Sequence, residues 1–395
     1  MKAKALFVLL ILLLFPLLSS CSVRELNTIS LVTALGIDKD EAGYMVTYQT
    51  LNAKAVASKK SVNESSFFLY TEKGNDLGEI ERRTTTQAAR KMYFEHVRSV
   101  VIGEDVARDG LKEILDYLFR TNEFRSDFYF IIAKGTTANQ ILSTVTPIQS
   151  ISGIQLFESI DNSKIWWAPT NSLKTVELIN DINAKGKSPA LAGVELYQEA
   201  EDMATIEKLK DSNPGKLKLT ALGAFHNDKL IGWLDESESL ALNSITGKVK
   251  NSAASVDYDE NTHVSLAIKF WKTKIKVSLS DGKPVVNVIL SAEMSITTVA
   301  GDVDFTDQKK LNKLNSITNK KIIGICKKTL GKAQNELKTD IFGFGESIHR
   351  AYPKVWNKLK DDWDTEFTKL QVNFMVDTII MDMGQNLKSI INEEE

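Results

Sequence analysis

Cys21 carries the clearest chemistry in the chain, as the last residue of Leu18-Ser19-Ser20-Cys21. An apolar residue, two small ones and a cysteine in that order make a bacterial lipobox. The thiol accepts a diacylglyceryl group, and the small side chains before it let a peptidase close on the backbone between Ser20 and Cys21. Cys21 is then expected to be the mature N-terminus, carrying S-diacylglycerol and an N-palmitoyl chain. Two acyl chains anchor stably where one is marginal, because each buried CH₂ contributes about 0.8 kcal/mol. The residues upstream agree. Lys2 and Lys4 form a short basic region, and the apolar run from Ala5 to Leu18 includes Pro16. As a helix that run would reach about 21 Å, against a hydrocarbon core of about 30 Å. It reads as a signal peptide over 1–20, removed on maturation. The alternative is an ordinary secretory signal that ends near a cysteine by chance. Cys21→Ala separates the two, since only a lipobox predicts loss of lipid labelling and release from the membrane.

Other residues are weaker candidates for chemistry. Gly343-Phe344-Gly345-Glu346-Ser347-Ile348 begins like a dinucleotide fingerprint, but its last position is Ile and a polar helical stretch precedes it, so it reads as a turn leading into a helix. Tyr352, Trp356, Leu359 and Trp363 recur at helical spacing and read as a core stripe more than as an aromatic binding face. Pro353 starts or kinks that helix. His349, between Glu346 and Arg350, lacks nearby partners for a metal or general-base role. His96, in Tyr93-Phe94-Glu95-His96, sits where a helix is expected to pass into a strand, and capping or an inter-element hydrogen bond suffices for it. Cys326 follows Ile325 on an apolar position and reads as a buried thiol. Lys248, Lys250, Lys269, Lys272, Lys274, Lys276 and Lys283 make one region locally basic. They could face anionic headgroups, but a solvated strand face is the commoner meaning of such a run. There is no His-Glu-x-x-His, Gly-x-Ser-x-Gly or Gly-x₄-Gly-Lys-Ser/Thr motif. No catalytic residue, metal ligand or cofactor-binding residue is therefore assigned, and no cofactor is expected beyond the covalent lipid on Cys21.

Composition narrows the class further. The 395 residues are enough for two to three domains. Lys and Arg number 49 against 51 Asp and Glu, which leaves a net charge of −2 and no broad positive field for nucleic acid. Two cysteines exclude a disulfide framework and an all-cysteine metal site.

The hydrophobic pattern organises the rest. Alternation from Ile29 to Ile37, a polar turn over Asp38-Lys39-Asp40-Glu41-Ala42-Gly43 and a return from Tyr44 to Leu51 predict a strand pair, with a third strand over Phe67 to Tyr70. Asn75 is expected to cap a helix through Leu77, Ile80, Thr84, Ala88 and Met92. A strand over Val97 to Ile102, a helix opened by Glu104 or Asp105 and running through Leu118, a strand over Phe128 to Ala133 and a helix opened by Thr136 or Thr137 follow. Alternating strands and helices predict an α/β domain over 21–190 with a partly parallel sheet. Polar residues broken by Pro189 and Pro214 place a linker-like boundary at 191–216. A middle antiparallel β region over 217–300 is expected next, with hairpins at His226-Asn227-Asp228 and Ser280-Asp281-Gly282. Residues 301–395 read as a C-terminal helical region, starting at Asp307, whose closing strand through Leu370, Val372, Phe374, Val376 and Ile380 joins the preceding sheet. The fold class is thus mixed α/β and α+β in a multi-domain ectodomain.

Several segments, taken in order, resemble one family, the Ger(x)C lipoproteins, C subunits of nutrient germinant receptors in endospore-forming bacteria. They are Cys21 with Arg24-Glu25-Leu26-Asn27; Leu31-Val32-Thr33-Ala34-Leu35-Gly36-Ile37-Asp38-Lys39-Asp40; His96 with Val100-Val101-Ile102-Gly103-Glu104; Leu115-Asp116-Tyr117-Leu118-Phe119-Arg120; Gly223-Ala224-Phe225 with Leu230-Ile231-Gly232-Trp233-Leu234; and Asp340-Ile341-Phe342-Gly343-Phe344-Gly345 through His349-Arg350, Tyr352-Pro353 and Trp356. Ser22 replaces the family's usual aromatic, and Ser239-Leu240-Ala241 stands where a glycine often follows the acidic stretch. The resemblance implies a multi-domain α/β fold and a non-enzymatic receptor subunit, lipid-anchored on the outer face of the spore inner membrane. It further implies contacts with a multi-spanning A subunit and a transporter-like B subunit thought to hold the nutrient pocket. Two other readings compete. One is a lipid-anchored solute-binding protein that captures a small nutrient itself in an interdomain cleft, which titration of the ectodomain with amino acids, sugars and nucleosides tests. The other is a tethered hydrolase, for which no nucleophile, base and orienter can be assembled.

Overall fold

The computed structural model describes residues 28–57, 65–146, 148–197 and 217–382. Cys21, the signal peptide and the cleavage position lie outside these residues.

The first sheet is built around β-branched runs. Strands β1 (Ile29–Asp40), β2 (Gly43–Leu51) and β3 (Phe67–Gly74) form an antiparallel meander, with the short helix α1 (Ala53–Ala57) after β2. Helix α2 (Leu77–Thr84) leads to β4 (Lys91–Tyr93), which pairs with the start of β1. Strand β5 (Ser99–Gly103) runs parallel to β1, and helices α3 (Glu104–Asp109) and α4 (Lys112–Arg120) carry the chain to β6 (Tyr129–Ala133), parallel to β5. Helices α5 (Ala138–Ser143), α6 (Ser152–Trp166) and α7 (Thr175–Asn183) precede β7 (Ala190–Leu196), again parallel. The hairpin β8 (Leu217–His226) and β9 (Lys229–Trp233) then completes the order β3-β2-β1-β5-β6-β7-β8-β9. Every residue of β5 and β6 is buried, as parallel strands covered on both faces require. One face packs Leu35, Val100 and Phe130 under α2, α3 and α4; the other packs Ala34, Val101 and Ile131 under α5 and α6.

The second sheet follows helix α8 (Glu236–Ile245). Strands β10 (Ser252–Asp257), β11 (His263–Ser280) and β12 (Lys283–Ala300) are antiparallel, and Asp281 and Gly282 both take positive φ in the tight β11–β12 turn. That is the geometry for which Asp-Gly is suited. Helix α9 (Gln308–Lys332) is capped by Asp307 and ends in a π-turn over Ala333–Leu337. Helices α10 (Phe344–Ala351), α11 (Pro353–Leu359) and α12 (Trp363–Thr368) lead to β13 (Gln371–Asp382). This closing strand joins the second sheet beside β12, as the alternation predicts. It is parallel because the intervening helices form a crossover. One core cluster bridges the two sheets: Leu222 and Ala224 of β8 and Leu242 of α8 pack together with Val286, Val288, Leu330, Trp356 and Phe367.

Four local expectations change. The helix expected to run to Met92 stops at Thr84, and Lys91–Tyr93 is a strand. The Thr84, Thr85 and Thr86 hydroxyls bond back to the carbonyls of Ile80, Arg82 and Arg83, and this competes with continuation of the helix. Its N-cap is Asp76, not Asn75. The helix expected to run through Leu118 is two helices, because Gly110 takes φ +133° between them. The region expected as one antiparallel unit over 217–300 is divided. Its first two strands extend the first sheet, held there by β7, a strand inside the stretch expected to be linker-like, while 252–300 begins the second sheet. Helices α6, α7 and α8 have no counterpart in the sequence reading.

Candidate binding cavity and motif clusters

The segments that suggest a family are brought together at three points. At the first, Asp38, two residues before the end of β1, accepts hydrogen bonds from the amides of Ala138 (2.7 Å) and Asn139 (2.8 Å) at the start of α5. Burial raises the Asp38 pKa in spite of these two bonds. Gly103 passes so close that a Cβ there would stand 2.6 Å from Asp38 Oδ1. The Gly36-Ile37-Asp38 and Ile102-Gly103-Glu104 segments therefore interlock.

At the second, Trp233 Nε1 donates to Glu104 Oε1 at 3.1 Å, while Arg108 reaches the same oxygen from one turn along α3. Lys134 pairs with Glu195 at 2.8 Å and lies 5.3 Å from the centre of the Trp233 ring. This cluster sits beyond the carboxyl ends of β5, β6 and β7, where open α/β sheets commonly bind ligands. Here the protein's own indole fills the position: a Cβ on Gly193 would come 2.7 Å from it.

At the third, buried Asp340 accepts from the amides of Phe342 (3.1 Å), Gly343 (2.9 Å) and Gly345 (2.8 Å) and from Trp363 Nε1 (3.2 Å). Burial outweighs these donors and pushes its carboxyl up to about 6. Gly343, at φ +76°, makes the turn into α10. The Gly-Phe-Gly segment is thus a turn before a helix, organised by a carboxylate that the spacing alone does not single out. The amide of Ser188 donates to the Asp340 carbonyl, which ties this turn to the stretch before β7.

The remaining candidates are scattered. Trp356 and Trp363 are core, with ring centres 5.1 Å apart, while Tyr352 and Leu359 are half-buried. Pro353 is the first residue of α11. His349 is exposed and stacks on Trp356; His96 is exposed in the turn after β4, beside Tyr93, so the helix-to-strand junction expected there is a strand-to-strand turn. Lys272, Lys274 and Lys276 project from the solvent-exposed face of β11. Among the described residues no three His, Cys, Asp or Glu side chains converge as a metal site would need.

Cys326 is buried, and burial pushes its thiol up to about 12. It lines a cavity of about 310 Å³ between α8, α9 and the inner face of the second sheet. Leu240, Ile268, Met294 and Ile322 supply apolar surface, Trp167 and Trp271 supply aromatic surface, and Glu236 and Lys321 are the charged lining groups. Sequence reasoning found none of these but Cys326. They come from α8, α9, β11, β12 and the loop after α6, so no spacing connects them.

Comparison with known proteins also divides the chain in two, but its boundary falls before β9, so the second matched part includes most of the β8–β9 hairpin that completes the first sheet. A family model described as "Spore germination protein N-terminal domain" matches residues 22–196, and one described as "Spore germination B3/ GerAC like, C-terminal" matches 220–384. The chain is similar to spore germination protein KC of Bacillus subtilis, 28% identical over 97% of this chain and 97% of that protein. It is also similar to spore germination protein B3 of the same organism, 24% identical over 97% of this chain and 99% of that protein. The crystal structure of the GerBC protein shares the fold, with a TM-score of 0.56 and 22% identity over 88% of this chain and 96% of that one.

Proposed function

The chain belongs to the Ger(x)C family of spore germination proteins, and from that premise we propose that it is the lipid-anchored, non-enzymatic subunit of a nutrient germinant receptor. The observation that carries this reading is the match of both family halves, in order, over 22–196 and 220–384. The geometry is in keeping with it. The acidic residues of the shared motifs, Asp38, Glu104 and Asp340, are engaged in internal hydrogen bonds that hold the frame.

In this reading Cys21 carries the lipid and holds the folded region at the outer face of the spore inner membrane. Among the described residues no helix is long and apolar enough to cross a membrane. The protein then acts through contacts with a multi-spanning A subunit and a transporter-like B subunit. Tethering raises the effective concentration of these partners, so modest interfaces suffice. A ligand bound in the assembly alters the contacts, and the germination response follows.

The test is made in spores of the source organism. Deleting the gene is expected to abolish or slow dipicolinic acid release in response to at least one nutrient, and the native gene to restore it. Cys21→Ala should lose palmitate labelling, leave the membrane fraction and fail to restore. Unchanged germination in the deletion strain against every nutrient that triggers the parent would overturn the receptor role; a Cys21→Ala protein still labelled with lipid would overturn the anchor.

A further inference from the structure

We propose that the cavity between α8, α9 and the second sheet is a binding site for a small aryl or branched-alkyl amine. Protein interiors are close-packed, and voids larger than a water molecule are few. This space of about 310 Å³ is a cleft that opens to solvent past the exposed Trp167, Glu236 and Ala253 and reaches inward to the buried Met294 and Cys326. An apolar cavity of about 150 Å³ holds benzene, so this one has room for a body of about two rings. Its lining is the mixture ligand sites show: mostly apolar and aromatic, with few polar groups.

The polar groups decide the ligand's end. Thr318 Oγ1 donates to the Leu314 carbonyl, and Lys321 Nζ donates to the Ser255 carbonyl at 2.7 Å. Trp271 Nε1 is engaged by the Ser244 carbonyl and Thr273 Oγ1, which fixes the indole as a wall. The Glu236 carboxylate, by contrast, is exposed and has no hydrogen-bond or ion-pair partner among the other described residues. A carboxylate without a protein partner, lining the same cleft as two indoles, selects a cationic or N–H donor end over an anionic one. The walls also come from both halves of the chain, since Trp167 follows α6 and Ile322 belongs to α9. Occupancy would therefore bear on how the halves sit together.

The site does not depend on the receptor reading. A Cys21→Ala chain that had lost its anchor would bind as before, so the failure of either is told apart. The probes are 5-fluorotryptamine and 5-fluoroindole, followed by ¹⁹F line broadening with the full chain in phospholipid nanodiscs and empty nanodiscs as blank. Both are expected to broaden. Ala254→Trp on β10 and Leu240→Trp on α8 fill the cavity from two different elements, and each should abolish broadening while the thermal midpoint is kept. Glu236→Gln should weaken the amine about tenfold and leave fluoroindole unchanged. No broadening of either probe by the unaltered chain, or broadening that survives either folded tryptophan variant, overturns the site. An equal effect of Glu236→Gln on both probes overturns the amine assignment.

Discussion

Gly186 and Gly345 meet backbone to backbone: a Cβ on Gly345 would stand 2.5 Å from the Gly186 Cα, and the Glu346 amide donates to the Gly186 carbonyl at 3.2 Å. One glycine precedes β7 of the first sheet and the other belongs to α10 over the second. Their contact is where the Gly-Phe-Gly turn seats on the rest of the chain.

Gly345→Ala is therefore expected to be destabilising although the residue is helical, where alanine is ordinarily preferred. The added methyl meets backbone on one side and the Trp363 ring at 2.8 Å on the other, and neither can swing away. A loss of about 2 kcal/mol is expected, in the range of overpacked cores. Urea denaturation of wild type and variant measures it. A variant as stable as wild type would show that α10 can lift off at no cost.

The buried carboxyl of Asp340 sets a pH dependence whose sign is opposite to that of most paired acids. Its folded-state pKa, about 6, stands above the value of an aspartate in the unfolded chain, about 4. Between these the folded state binds more protons, so the stability from this group is full below about pH 4 and declines as pH rises to about 6. Asp340→Asn removes the titration and turns an amide NH₂ toward N–H donors. The variant should be less stable throughout, with the advantage of wild type shrinking from pH 4 to pH 7. Urea midpoints at four pH values read this out, and an advantage that grows with pH contradicts it.

How much of this was legible in the sequence depends on whether a signal is local. The β11–β12 hairpin is written into Asp281-Gly282 between alternating runs, and β13 into its own alternation. The overrun of α2 arose because Ala88 and Met92 continue the helical spacing beyond Thr84, and only the back-bonding of three threonine hydroxyls ends the helix. β8 and β9 read correctly as a hairpin, but nothing local says which sheet a hairpin joins; pairing with β7 decides it. The cavity is the extreme case. Trp167, Leu240, Met294 and Ile322 are unremarkable one by one, and only tertiary packing makes them a wall.

Trp233 and Gly193 are expected to be coupled. Trp233→Phe removes the donor to Glu104 and should cost about 1 kcal/mol. Gly193→Ala drives a methyl into the six-membered part of the indole, at 2.7 Å, and should cost more, about 2 kcal/mol. Phenylalanine does not reach as far as the fused indole, so although the methyl still meets Thr220 Cγ2 at 2.7 Å, the double variant should lose less than the two singles together. Strict additivity in a double-mutant cycle would mean the two residues do not share the space.

Lys332 and Glu238 supply the acid-side counterpart of Asp340. Glu238 on α8 is almost wholly buried and accepts from Lys332 Nζ at 2.7 Å and from the Asp235 amide at 2.8 Å; the same ammonium reaches the Trp233 carbonyl. Burial works to raise the Glu238 pKa, but Lys332 and the Asp235 amide together hold it below the usual range. Its stabilisation is then present above the unfolded value, about 4.3, and is lost as pH falls. Lys332→Met leaves a buried carboxylate short of its partner, with Lys328 still 3.3 Å away as a partial substitute. A loss of about 2 kcal/mol at pH 7 is expected, below the usual cost of breaking a fully buried pair. Without the ammonium the carboxyl protonates more readily, so the deficit should narrow between pH 6 and pH 4. Adding Glu238→Leu should recover part of the loss, because removing both charges leaves neither stranded. A deficit that stays constant with pH, or a double variant worse than Lys332→Met alone, would show that the pair contributes packing and not charge.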